Sequence, residues 1–112
     1  MIDLSTIEQI YLYPGRTDMR LGMNGLRKLV GEMNNDCLYV FCGMGKNQIK
    51  IIHQTEDSTW LYQKKLKKGK FSWPIEGEKT LVDNEQLIWV IEGISLINKI
   101  ESKNKNKSYD FI

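Results

Sequence analysis

The period of the hydrophobic positions changes several times along this chain, and each change marks an element. Residues Ile7 to Tyr13 carry branched and aromatic side chains and stop at Pro14-Gly15, which reads as a strand running into a turn. From Asp18 to Met33 the apolar residues Met23, Leu26, Leu29, Val30 and Met33 recur at helical spacing. The spacing predicts a helix with one inward face, started by Thr17 or Asp18 as its cap. Gly22 and Gly25 weaken it, each by up to about 1 kcal/mol relative to alanine. Asn34-Asn35-Asp36 then breaks the chain.

Three or four strands are expected next. Cys37–Cys42 is a continuous apolar run, the pattern of a strand buried on both faces or closely covered by a helix. Gly43-Met44-Gly45-Lys46-Asn47 reads as a hairpin turn into Gln48–Gln54, where Ile49, Ile51 and His53 share one face and Lys50 and Ile52 the other. Thr55–Ser58 is a polar turn. Thr59–Lys65 alternates and sets Trp60, Tyr62 and Lys64 together. After a turn at Lys67-Lys68-Gly69-Lys70, Phe71 and Trp73 fall on one face of a last short strand that ends at Pro74.

Glu76–Thr80 reads as a connecting loop. Asp83 and Gln86 then have the spacing of a capping box at the start of a second helix, with Leu87, Ile88, Val90, Ile91 and Ile94 on its apolar face and Gly93 as its terminator. The economical architecture is a single α+β domain, an antiparallel meander of four to five strands packed with two helices. It is expected to occupy residues 1–98. Residues 99–112 form a basic stretch of low hydrophobicity that reads as a disordered tail.

Composition adds exclusions. With 112 residues, 41% hydrophobic and 27% charged, the chain suits one soluble domain with a modest core. No apolar run approaches a membrane span, and Met-Ile-Asp-Leu-Ser-Thr lacks the basic start and apolar stretch of a signal peptide, so a cytoplasmic protein without membrane contact is the default. Cys37 and Cys42 would sit about 17 Å apart on opposite faces of a strand, too far to bridge each other. Two thiols and one histidine do not complete a zinc site.

Most candidate chemistry dissolves on inspection. Gly43-Met44-Gly45-Lys46 suggests a phosphate loop, but that pattern needs glycine where Val40 stands and serine or threonine where Asn47 stands. His53, alternating with Ile49 and Ile51, reads as an interior or interface residue rather than a general base. Glu56-Asp57 and Glu76–Glu78 read as solvated loop acids rather than magnesium ligands. Asp18-Met19-Arg20 reads as a cap with one ion pair. Alternatively, Arg20 with Arg16 and Arg27 offers phosphate contacts, since the planar guanidinium fork suits phosphate. No cofactor and no catalytic or metal-binding residue is expected.

The segment from Trp60 to Trp73 remains. It holds five lysines, four aromatic residues and no acid, in a protein whose net charge is only +2. Lysines that neutralise phosphate and aromatic faces that stack on bases make such a segment a candidate nucleic-acid surface. Equally, it is an ordinary solvated hairpin whose lysines guard a sheet edge and whose tryptophans fill the core.

Taken together, Asp18-Met19-Arg20 with Gly22 and Leu26, Leu38-Tyr39-Val40-Phe41, Ile49-Lys50-Ile51, Leu61-Tyr62 through Lys64-Lys65-Leu66, Gly69-Lys70-Phe71 with Trp73-Pro74, and Glu92-Gly93-Ile94 form a recognisable series. It resembles the small accessory proteins of insertion-sequence-66 type transposable elements, known as TnpB or the second-open-reading-frame product. The chain departs from that pattern at Cys42, Met44 and Lys46, where arginines are usual. The resemblance implies a non-enzymatic role in transposition beside a separate transposase. On that reading Lys64, Lys65, Lys67, Lys68 and Lys70, with Arg16 and Arg20, contact element DNA. In the alternative reading, an exposed patch of Trp60, Tyr62, Phe71 and Trp73 binds the transposase or another element-encoded subunit without touching DNA.

Overall fold

The central strand of the sheet has no solvent-facing side. In the computed structural model, which describes residues 3–91, all six residues of Cys37–Cys42 are buried. The elements run β1 (Gln9–Leu12), α1 (Met23–Val30), β2 (Cys37–Cys42), β3 (Gln48–Gln54), β4 (Thr59–Lys65), β5 (Thr80–Val82) and α2 (Asn84–Ile91), after a short 3-10 turn at Leu4–Thr6. They build one five-stranded sheet in the order β4-β3-β2-β1-β5. The β2–β3, β3–β4 and β1–β5 pairs are antiparallel, as the α+β reading expects, while β1 and β2 pair in parallel because α1 carries the chain back between them.

Alternation along the strands divides the interior into two cores. On one face Ile10, Leu12, Leu38, Val40, Cys42, Ile49 and Ile51 pack with Phe71, Trp73 and Leu87. On the other, Tyr39, Phe41, Cys37 and Ile52 pack with Leu26 of α1. There Tyr11 stacks on Tyr39 and Tyr13 on Phe41, with ring centroids 5.5 and 4.6 Å apart. Cys37 and Cys42 are free thiols, one in each core, and burial pushes the Cys42 thiol up to about 11.

Three local expectations need correction. Helix α1 begins at Met23, with Gly22 as a cap lacking a side-chain bond, rather than at Thr17 or Asp18. The reason lies in β3: Lys50, only 7% exposed, donates from its ammonium to the carbonyls of Met19 and Leu21 at 2.7 and 2.8 Å. Those carbonyls are thereby held out of a helical ladder. A Cβ on Gly25 would meet Leu21 Cδ2 at 2.7 Å, so glycine lets this bent segment lie against the first turn of α1. Leu29 points outward and is 53% exposed.

Second, Phe71 and Trp73 do share a buried face but form no strand. Their segment is anchored through single bonds, among them Trp73 Nε1 to the Tyr13 carbonyl at 2.9 Å. Third, the last strand is instead β5, beside the segment read as a loop, and it covers the open edge of β1. The second helix starts as its sequence implies. Asp83 Oδ1 accepts from the Gln86 amide at 2.7 Å, and Gln86 Oε1 accepts from the Asp83 amide at 2.9 Å. Gly93, Ile94 and the 99–112 tail lie outside the described residues.

Candidate nucleic-acid interface

Strand directions decide which loops meet. The C-terminal ends of β1, β2 and β4 and the N-terminal ends of β3 and β5 all lie at one end of the sheet. This end therefore gathers three segments that are far apart in sequence: residues 13–20, the 43–47 turn, and the lysine turn after β4. The middle one joins the other two. The Thr17 amide donates to the Cys42 carbonyl at 2.9 Å, which sets residues 16–20 against the turn. On the other side, the Leu66 amide donates to the Asn47 carbonyl at 2.7 Å and the Phe71 amide to the Lys46 carbonyl at 2.6 Å. The lysine turn is thus pinned at both ends, with Gly69 at φ +78 allowing its reversal.

Between residues 16–20 and the turn lies an open groove of about 520 Å³, with Arg16, Asp18 and Arg20 on one side and Gly43, Met44 and Gly45 on the other. Arg20 grips Asp18 through Nε and Nη2 at 2.8 to 3.2 Å, and its amide donates to the same carboxylate at 2.9 Å. These bonds hold the Asp18 carboxyl well down, at about 2. The guanidinium is nevertheless 92% exposed. An exposed bidentate pair of this kind orients the arginine more than it stabilises the fold.

Around this end Arg16, Lys65, Lys67, Lys68 and Lys70 are exposed, and Lys64 is half-buried on the strand. Lys46 belongs to the same group, and its position in the turn between β2 and β3 could have flagged it. Glu76 and Glu78 lie toward β5 and dilute the charge on that side. Toward the opposite end, residues 3–8, 31–36, 54–58 and 83–86 contain eight acids, with Arg27 and Lys28 in the last turn of α1 just before 31–36. Among the described residues the charge of a nearly neutral chain is thus spread unevenly between the two ends of the sheet. Polarisation of this kind, rather than net charge, is what attracts and orients a polyanion.

The aromatic residues do not stay together. Trp60 is 54% exposed and stacks on half-buried Tyr62, with centroids 6.3 Å apart. Phe71 and Trp73 are buried in the core at 2% and 6%, so the four-residue exposed patch reduces to Trp60 and the edge of Tyr62.

Residues 8–101 match the family described as IS66 Orf2 like protein. This chain belongs to that family. It is also 30% identical, over 92 residues, to the uncharacterized protein y4hO of Sinorhizobium fredii (strain NBRC 101917 / NGR234), an alignment spanning 77% of this chain and 80% of the relative. No solved structure matches it. Membership in the IS66 Orf2-like family implies an accessory role in transposition, in association with element-encoded transposase proteins.

The other candidate features of this family member are placed as follows. The Gly43–Lys46 stretch forms the β2–β3 turn, with Lys46 at φ +59, and is followed by a strand rather than by the helix a phosphate loop requires. His53 lies on β3 opposite Trp60, and both its ring nitrogens are buried without a hydrogen-bond partner among the described residues. Among those residues no group of three or more His, Cys, Asp or Glu side chains is placed to hold a metal, and no helix is long and apolar enough to cross a membrane. Sequence reasoning missed the anchoring role of Lys50; a lone lysine between Ile49 and Ile51 was the available signal.

Proposed function

We propose that the protein is a non-catalytic, cytoplasmic accessory factor that helps a separate transposase engage element DNA through the basic end of its sheet. Lys65, Lys67, Lys68 and Lys70 meet phosphates, with Lys64 at the strand end and Arg16 and Arg20 across the groove. One observation carries this reading. The lysine turn is hydrogen-bonded to the 43–47 turn and the arginine-bearing segment to Cys42, the residue just before it, so these two segments, remote in sequence, share one end of the sheet.

A polyphosphate contact releases condensed counterions, so affinity should fall steeply and log-linearly as salt rises. Fluorescence anisotropy with element-end duplexes at graded salt tests it. Saturable binding at low salt with a steep slope is expected, and absence of binding at low salt would overturn the reading. A second reading, a protein-interaction module for the transposase without DNA contact, is favoured by the exposed Trp60 beside Tyr62. Co-purification with the transposase that survives nuclease and high salt, and is lost in Trp60→Ala, would decide for it.

A further inference from the structure

Strand β4 ends the sheet, and among the described residues nothing pairs with its outer edge. Such an edge is a template for another strand unless it is guarded. Here the guard is one-sided: Lys64 and Lys65 stand at the C-terminal end, while Thr59–Gln63 carries no charge. The flanks are of opposite sign. Exposed Glu56 and Asp57 sit in the turn before the strand, and exposed Lys67 and Lys68 in the turn after it. Between them lies Trp60, an exposed large hydrophobic residue stacked on its strand neighbour Tyr62.

An acidic flank, an apolar middle and a basic flank make an edge that is complementary to itself in one direction only. Laid parallel, two copies would set lysine beside lysine and acid beside acid. Laid antiparallel, each acidic turn lies along the other copy's lysine turn. We propose that β4 pairs antiparallel with β4 of a second copy of this chain, about a two-fold axis at Tyr62, to give a weak, salt-sensitive dimer with a continuous ten-stranded sheet.

In this register Tyr62 faces Tyr62 of the second copy, a cross-strand aromatic pair. Trp60 faces the second copy's Lys64, which brings an ammonium to the ring that solvent now covers in part. The turn bearing Glu56 and Asp57 runs beside Lys67 and Lys68. Every contact away from the axis occurs twice, as an isologous interface requires. One strand pair with its flanking turns buries less than the roughly 1,200 Å² of a stable interface, hence the weak association. Its charge pairs lie at the rim, where salt screens them. Lys67 and Lys68 also belong to the DNA-facing set, so DNA and the second copy compete for them. The dimer does not depend on the DNA reading and is measured without DNA.

Charge-swap variants and sedimentation velocity test it. The wild type is expected to shift from monomer toward dimer as concentration rises at low salt, and to return to monomer at high salt. Glu56→Lys with Asp57→Lys, and separately Lys67→Glu with Lys68→Glu, are each expected to lose the dimer while keeping the wild-type circular dichroism. Mixed together the two variants should dimerise again, since each basic flank then meets an acidic one. A wild type that stays monomeric up to its solubility limit would overturn the proposal. So would swapped variants that dimerise alone, or a mixture that fails to.

Discussion

The two halves of the lysine–aromatic segment are alike in composition and opposite in fate. Trp60 and Tyr62, before the turn, stay at the sheet's outer edge, and Trp60 is more than half exposed. Phe71 and Trp73, after it, enter the core, and the Trp73 indole donates to the Tyr13 carbonyl. The difference does not come from the residues themselves. Strand β4 is the terminal strand and has a neighbour on one edge only, whereas the chain beyond Gly69 folds back over the sheet face and carries both aromatic rings onto it. Position relative to an edge, not hydrophobicity, decides which tryptophan holds the fold and which is available to a partner.

The comparison can be broken most directly by truncating each tryptophan. Trp73→Ala should cost about 3–5 kcal/mol in urea unfolding, as removal of a buried large aromatic does. Trp60→Ala should stay within about 0.5 kcal/mol, the range of surface changes. Equal losses would mean that the two halves are not different in kind.

The turn between the halves gives a smaller effect. Gly69→Ala, at φ +78, should destabilise by about 1–2 kcal/mol, because a Cβ disfavours this left-handed backbone. The loss should appear together with greater exposure of the Trp73 fluorescence to quenchers, since the turn positions the second half. If stability falls without that change, the turn is not what delivers Trp73 to the core.

Charge on the turn should separate binding from folding. Lys67→Ala with Lys68→Ala should leave the unfolding midpoint nearly unchanged. In DNA titrations it should reduce the salt slope by about one for each lysine removed. A folding defect with an intact slope would return these residues to the structural half.

The smallest effect is expected at Asp18. Arg20 holds its folded-state value at about 2, below the ordinary 3.8 of the unfolded chain, so whatever stability the pair contributes is present above about pH 4 and is lost as pH falls through about 2. Asp18→Asn should therefore alter stability slightly at neutral pH and hardly at all near pH 2. Proton titration of the Asp18 side chain by nuclear magnetic resonance should show a midpoint close to 2 in the wild type. A midpoint near 4 would mean that Arg20 is free to leave Asp18, which would make it the better phosphate contact.

Much of the fold was legible in the sequence. Strands β2, β3 and β4 begin and end where their apolar runs and turn residues indicate, because a strand buried on two faces or alternating on one writes its period into adjacent positions. The capping pair Asp83 and Gln86 was equally plain, being a bond between neighbours. The start of α1 was not. Lys50 fixes it from a distant strand, by drawing the Met19 and Leu21 carbonyls away from helical partners. Nor was β5, three residues long, whose place is set by the vacant edge of β1 rather than by a pattern of its own.

For the candidate site the division is similar. The sequence by itself determined which residues carry charge, which turns interrupt them, and the family signature they compose, since all of these are properties of near neighbours. Only the tertiary structure decided that the arginine-bearing segment and the lysine turn stand together, that eight acids collect at the other end, and that Trp60 and Trp73 part company. Those outcomes follow from strand order and direction, which bring residues together through backbone pairing across long sequence separations and leave no local trace in the chain.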